Sequence, residues 1–128
     1  MATITPLKIT EEGLTGVTAD CAAGGDEFVN TGVEFIRISN DHASAAYTVT
    51  VVVQTTSLKF SRHGKLTKSN TVKTVNAGAS ALIGPLKTTV WNDANGKVQL
   101  TYIVGSSGAA VISGDHLLKI EILYLEQK

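Results

Sequence analysis

The sequence predicts an all-β fold: a single antiparallel β-sandwich of seven to nine strands, for which a jelly-roll is one arrangement. Three observations carry this expectation. Val, Ile and Thr together number roughly 38 of the 128 residues, and β-branched side chains lose little by sitting on a pleated, half-buried surface. Short alternating runs bounded by Gly, Asn, Asp and Ser recur at the spacing of a sandwich or barrel. Long stretches of Ala, Glu, Lys and Leu at helical spacing are missing. A chain of this length supplies one core, which buries about two thirds of the unfolded surface, so residues 1–128 are expected to form one domain.

Taken in order, Pro6 to Thr10 is the first run, with Leu7 and Ile9 on one face, and residues 1–10 are a candidate extended arm. Val17 to Asp20 resumes an extended segment after the break at Glu11 to Gly16, and Ala22 to Asp26 is small and flexible. Glu27 to Val29 precedes a turn at Asn30-Thr31-Gly32. Val33 to Ser39 alternates, with Val33, Phe35 and Arg37 on one side and Glu34, Ile36 and Ile38 on the other. Tyr47 to Gln54 is the strongest strand, its one face made of Tyr47, Val49, Val51 and Val53. Residues 57–71 are polar and contain glycine, which predicts a long loop or an irregular hairpin. Val72 to Val75, a turn at Asn76 to Ala79, and Ser80 to Leu86 follow, the last broken by Gly84-Pro85. Thr88 to Trp91 is expected as a short strand before the turn Asn92-Asp93-Ala94-Asn95-Gly96, where Asn-Gly supplies the left-handed backbone a hairpin needs. Val98 to Val104 alternates cleanly. The run Leu117 to Leu125 fits either a helical face or an alternating strand; Ile at both 120 and 122 predicts a strand.

Composition excludes several classes of function. Eleven acidic residues balance eleven basic ones, leaving no electrostatic footprint for nucleic acid or an anionic membrane. The local bases Lys59, Arg62, His63, Lys65 and Lys68 read as a solvated segment. Charged residues make up only 17% of the chain, so much of the surface is small and polar, which suits contact with other protein. The single cysteine, Cys21, excludes a disulfide framework and reads as a small semi-buried residue. No apolar run spans a bilayer, and Met1 to Pro6 lacks the regions of a signal peptide. Synthesis in the cytosol is therefore expected, with the product soluble unless it joins an assembly.

No reactive constellation stands out, and no catalytic, cofactor or metal site is expected. His42, His63 and His116 fall in turns or loops, and the pairs Asp41-His42 and Asp115-His116 point their side chains to opposite sides of an extended chain. Asp93 to Gly96 has the look of the start of a calcium loop, but the twelfth position from Asp93 is Val104, where the loop requires Glu. Ser106 and Ser107 sit in a Gly-bounded turn, a poor platform for a nucleophile. Trp91, beside the Asn-Gly turn, is either packed in the core or at an interface, or an exposed platform for a sugar.

The segment Asn76 to Tyr102, NAGASALIGPLKTTVWNDANGKVQLTY, resembles the small head decoration, or capsid cement, proteins of tailed bacteriophages. Ala22 to Gly32 followed by Val33 to Ile36 is similar to them too, so the likeness covers about residues 6–104; the 57–71 stretch and the C-terminal strand depart from it. The motif is a strand, a corner at Gly84 and Pro85, a short strand, a hairpin turn at Asn92, Asp93, Asn95 and Gly96, and a strand. The resemblance implies a virion structural protein on the capsid surface, made in the host cytoplasm. It would bind across neighbouring copies of a major capsid protein as a symmetric trimer or dimer. Under it, the expected contacts are the arm, with Ile4 and Pro6, the 57–71 stretch, with Arg62 and Lys65, and Trp91. The alternative is a phage tail or fibre module, or a carbohydrate-binding β-sandwich, that recognises a host surface.

Overall fold

The computed structural model describes residues 2–14, 18–22, 24–55, 57–60, 64–104, 109–110 and 118–125. The strands in chain order are β1 (Ala2–Thr3), β2 (Leu7–Ile9), β3 (Ala19–Asp20), β4 (Asp26–Val29), β5 (Phe35–Asn40), β6 (Tyr47–Val52) and β7 (Ser57–Phe60). They continue with β8 (Gly64–Thr67), β9 (Thr71–Val75) and β10 (Ser80–Ile83), then a helical turn α1 (Thr88–Trp91). The last are β11 (Lys97–Val104), β12 (Ala109–Ala110) and β13 (Leu118–Leu125). One sheet has the order β1-β4-β11-β6-β9, with β12 also on β11; the other has the order β10-β5-β13-β2, with β3 also on β13. The chain is an all-β sandwich.

Period-two alternation builds the core between the sheets. Val49 and Val51 of β6, Val98 and Leu100 of β11, and Phe28 of β4 meet Ile36 and Ile38 of β5 and Leu118, Ile120 and Ile122 of β13, all fully buried. The 118–125 run is a strand, and β13 is the hub of its sheet, pairing with β5, β2 and β3. Its opposite face pairs Glu121 with Arg37 across the strands, 3.4 Å apart.

The described residues hold 13 strands rather than seven to nine, because β1, β3 and β12 are two-residue pieces along sheet edges and β7 pairs with β8 as a separate hairpin within the 57–71 stretch. Two pairings are parallel, β1 on β4 and β2 on β13, where an all-antiparallel arrangement was expected. Both come from the N-terminal ten residues. They do not project as an arm: Ala2 and Thr3 join one sheet, Ile4 is buried in the core, and Leu7 to Ile9 join the other sheet. An apolar residue at position 4 makes docking favourable, and the crossover falls at Thr5-Pro6, where proline has no N–H to leave unpaired.

Thr88 to Trp91 is a helical turn, not a short strand. Its β-branched composition favours a strand, but Val90 and Trp91 are neighbours and both are buried. A strand would send them to opposite faces; a helical turn turns both inward. The turn also aims the Val90 carbonyl at the end of β6, where it accepts the N–H groups of Gln54 and Thr55, each at 3.0 Å.

Candidate functional site

The motif singled out in the sequence folds into a hydrogen-bonded corner at one end of the sandwich. Asn30, almost fully buried, donates from Nδ2 to the Leu86 carbonyl at 3.0 Å and to Asn92 Oδ1 at 2.7 Å, and its Oδ1 accepts the Gly32 N–H at 3.1 Å. Asn92 answers by donating to the Asn30 and Gly96 carbonyls. Gly84 has φ of +117°, and a Cβ there would stand 3.2 Å from Phe35 Cα, so both conformation and space demand glycine; the bond to Pro85 is cis. Asp93 Oδ1 accepts the N–H groups of Asn95 and Lys97, which draws its carboxyl below the usual range, the Lys97 N–H foremost. Gly96, at φ +75°, completes the turn. The turn links α1 to β11, so it is not a hairpin between two strands. These residues shape backbone and present no reactive pair.

Along the outer face of the first sheet, Glu27 binds Lys97 Nζ at 2.9 Å, Gln99 Nε2 at 2.8 Å and the Thr3 hydroxyl at 3.1 Å. Those donors, Lys97 first, hold its carboxyl below the ordinary value. On the inner side, Asp26 is fully buried; its Oδ2 accepts the Tyr102 hydroxyl at 2.7 Å and the Ala22 N–H at 3.1 Å, while Oδ1 has no partner. Burial raises its pKa despite those bonds, and burial first, with Cys21 and Asp26 nearby, pushes Tyr102 well above 10.0. Glu34 is another buried carboxyl, accepting the Thr31 N–H at 2.7 Å, the Thr31 hydroxyl and the Val33 N–H.

The expected contact residues scatter. Ile4 and Trp91 are buried in the core, and Lys68 Nζ lies 5.8 Å from the Trp91 ring centroid. Trp91 is therefore not an exposed platform, because the α1 turn directs it inward. Pro6 is half-buried at the crossover. Lys65 lies on β8, and Arg62, His63 and His116 are outside the described residues. His42 receives or gives a hydrogen bond with the buried Tyr47 hydroxyl at 2.9 Å, Nε2 facing it. No group of three His, Cys, Asp or Glu side chains among the described residues could hold a metal ion, and no described helix is long and apolar enough to cross a membrane.

What the fold does assemble is a groove of about 480 Å³ at the end of the sandwich, lined by Pro6, Val29, Thr31, Val33, Glu34 and Tyr124. Val29 and Val33 are exposed there, 47% and 40%. Sequence reading missed this cluster as a unit, since its residues come from the crossover, β4, the loop to β5 and the end of β13. The alternation that puts Glu34 on the side of Ile36 and Ile38 was the one available signal for a buried carboxyl. Compared with known proteins, the chain matches no family model, no curated protein and no solved structure.

Proposed function

We propose that this chain is a virion structural protein that decorates and stabilises a bacteriophage capsid, binding across neighbouring copies of the major capsid protein as a homo-oligomer. The motif resemblance over residues 76–102 supplies the class. The observation that carries the reading is where the exposed apolar side chains fall. Val72 lies on edge strand β9 and Leu82 on edge strand β10; Val29, Val33 and Leu125 lie toward strand ends and the end groove, and Leu14 lies in the loop after β2. Apolar surface at edges and ends, on a chain with zero formal net charge, suits lateral packing against other subunits. With Trp91 buried, the sugar-binding alternative loses its aromatic platform. Binding only the assembled shell stabilises that shell by linkage.

The test is thermal disruption of expanded phage shells with and without the purified protein, with its oligomeric state set by light scattering. A defined trimer or dimer that raises the disruption temperature supports the reading. A monomer that leaves the shells unchanged contradicts it and favours a host-surface module.

A further inference from the structure

We propose that the end groove and the open half of β4 form a docking site for an extended segment of a partner chain, one carrying an apolar side chain next to a basic one. The inference deepens the assembly reading by naming the chemistry of the partner segment.

The backbone of β4 points to an added strand. Ile4 donates its N–H to the Glu27 carbonyl at 2.8 Å, so Glu27 turns its backbone groups toward β1. Val29, two residues on, turns its own to the same side. Its neighbour on the other side, Lys97, stands opposite in register but spends its N–H and carbonyl on Asp93, at 3.0 and 2.8 Å. Just past β4, Asn30 donates its N–H to the carbonyl of Gly96, which stands just before β11. The β1 register ends at Thr3↔Glu27, so among the described residues no strand stands opposite Val29 on its open side. The N–H and carbonyl of Val29 thus face an unfilled edge, which an extended peptide satisfies by strand addition.

The groove beside that edge sets the side chains. Val29, Val33, Pro6 and Tyr124 give it apolar walls that take an aliphatic side chain. Glu34 also lines it, a carboxylate 5% exposed that is held by the N–H groups and hydroxyl of its own loop and has no cation in ion-pair distance among the described residues. A buried carboxylate in the wall of an apolar groove, hydrogen-bonded by its own loop but lacking a basic partner among the described residues, favours Lys or Arg in an incoming segment and disfavours an acidic one.

The experiment uses the full chain and three capped eight-residue peptides of alternating Val and Thr, flanked by Lys, by Ser or by Glu. Binding is read by anisotropy of labelled peptide and by amide chemical shifts of the protein. The Lys-flanked peptide is expected to bind about tenfold more tightly than the Glu-flanked one, a gap of about 1.4 kcal/mol, with shifts centred on Val29 and Val33. Val29→Pro removes the open N–H at a position opposite Lys97 whose backbone groups make no hydrogen bond to β11, so it is expected to weaken binding about tenfold while melting stays within a few degrees. Glu34→Gln is expected to abolish the preference for Lys over Glu. Equal affinity for all three peptides overturns the proposal, as does the absence of binding at about 1 mM, or shifts confined to β9 or β10. Because no shells are present, failure here leaves the capsid reading standing, and failure to bind shells leaves this site standing.

Discussion

Asn30 commits its whole amide to its surroundings: Nδ2 serves Leu86 and Asn92, and Oδ1 takes the Gly32 N–H. Removing it leaves the buried Leu86 carbonyl and the half-buried Gly32 N–H without their partner. Asn30→Ala is therefore expected to lower stability by roughly 2–3 kcal/mol, read as a lower urea midpoint at unchanged slope. Asp26 works in the opposite sense. Burial lifts its pKa above 3.8, so the folded chain holds this proton to higher pH than the unfolded chain does. Its ionisation then costs folding free energy: nothing below the unfolded value, and the full amount above the folded one. Asp26→Asn cannot ionise. It should gain on the native protein as pH rises from about 3 to 7 in urea titrations run at each pH. A difference between the two that does not move with pH would contradict the assignment. Neither role was legible in the sequence. A lone Asp or Asn reads as a turn residue, and only its neighbours in space, Tyr102 or Leu86, turn it into a buried group with obligations.

At the scale of elements, β13 concentrates the packing. Ile120 is fully buried, pairs with Ile38 of β5 and stands beside Ala19 of β3. Ile120→Ala should cost about 2–5 kcal/mol, measured by thermal or urea unfolding, because three strands meet around the cavity it leaves. The strands themselves were plain in the sequence wherever alternation was strict: β5, β6, β11 and β13 have the inner faces their patterns predict. Alternation failed where tertiary demand overrode it. Val90 and Trp91 both had to enter the core, which only a helical turn allows. It was also silent for β1, β3 and β12, since two residues carry no period. The N-terminal segment read as an arm because its polar threonines mask Ile4, whose burial ties the segment down.

Across the whole molecule, the two sheets leave exposed apolar residues at edges and at one end, while some of their charges meet in short pairs such as Glu27 with Lys97 and Asp20 with Lys119. On edge strand β9, Lys73 shares the side of Val75 yet stays exposed, an inward charge that blunts unwanted pairing. β10 has Leu82, 67% exposed, in register with Arg37. Such a molecule has edges of different character: one guarded by charge, one apolar, and one half-filled at Val29. The turn motif of residues 84–96 was visible in the sequence as punctuation, and the corner it builds explains its composition without giving it a partner. The groove was not visible, because it exists only where four separate segments converge. The most direct measurement is co-sedimentation of the purified protein with expanded and unexpanded phage shells. A protein that decorates capsids should pellet saturably with expanded shells, at a fixed ratio of protein to capsid subunit. Protein that stays in the supernatant with every shell offered would contradict that role.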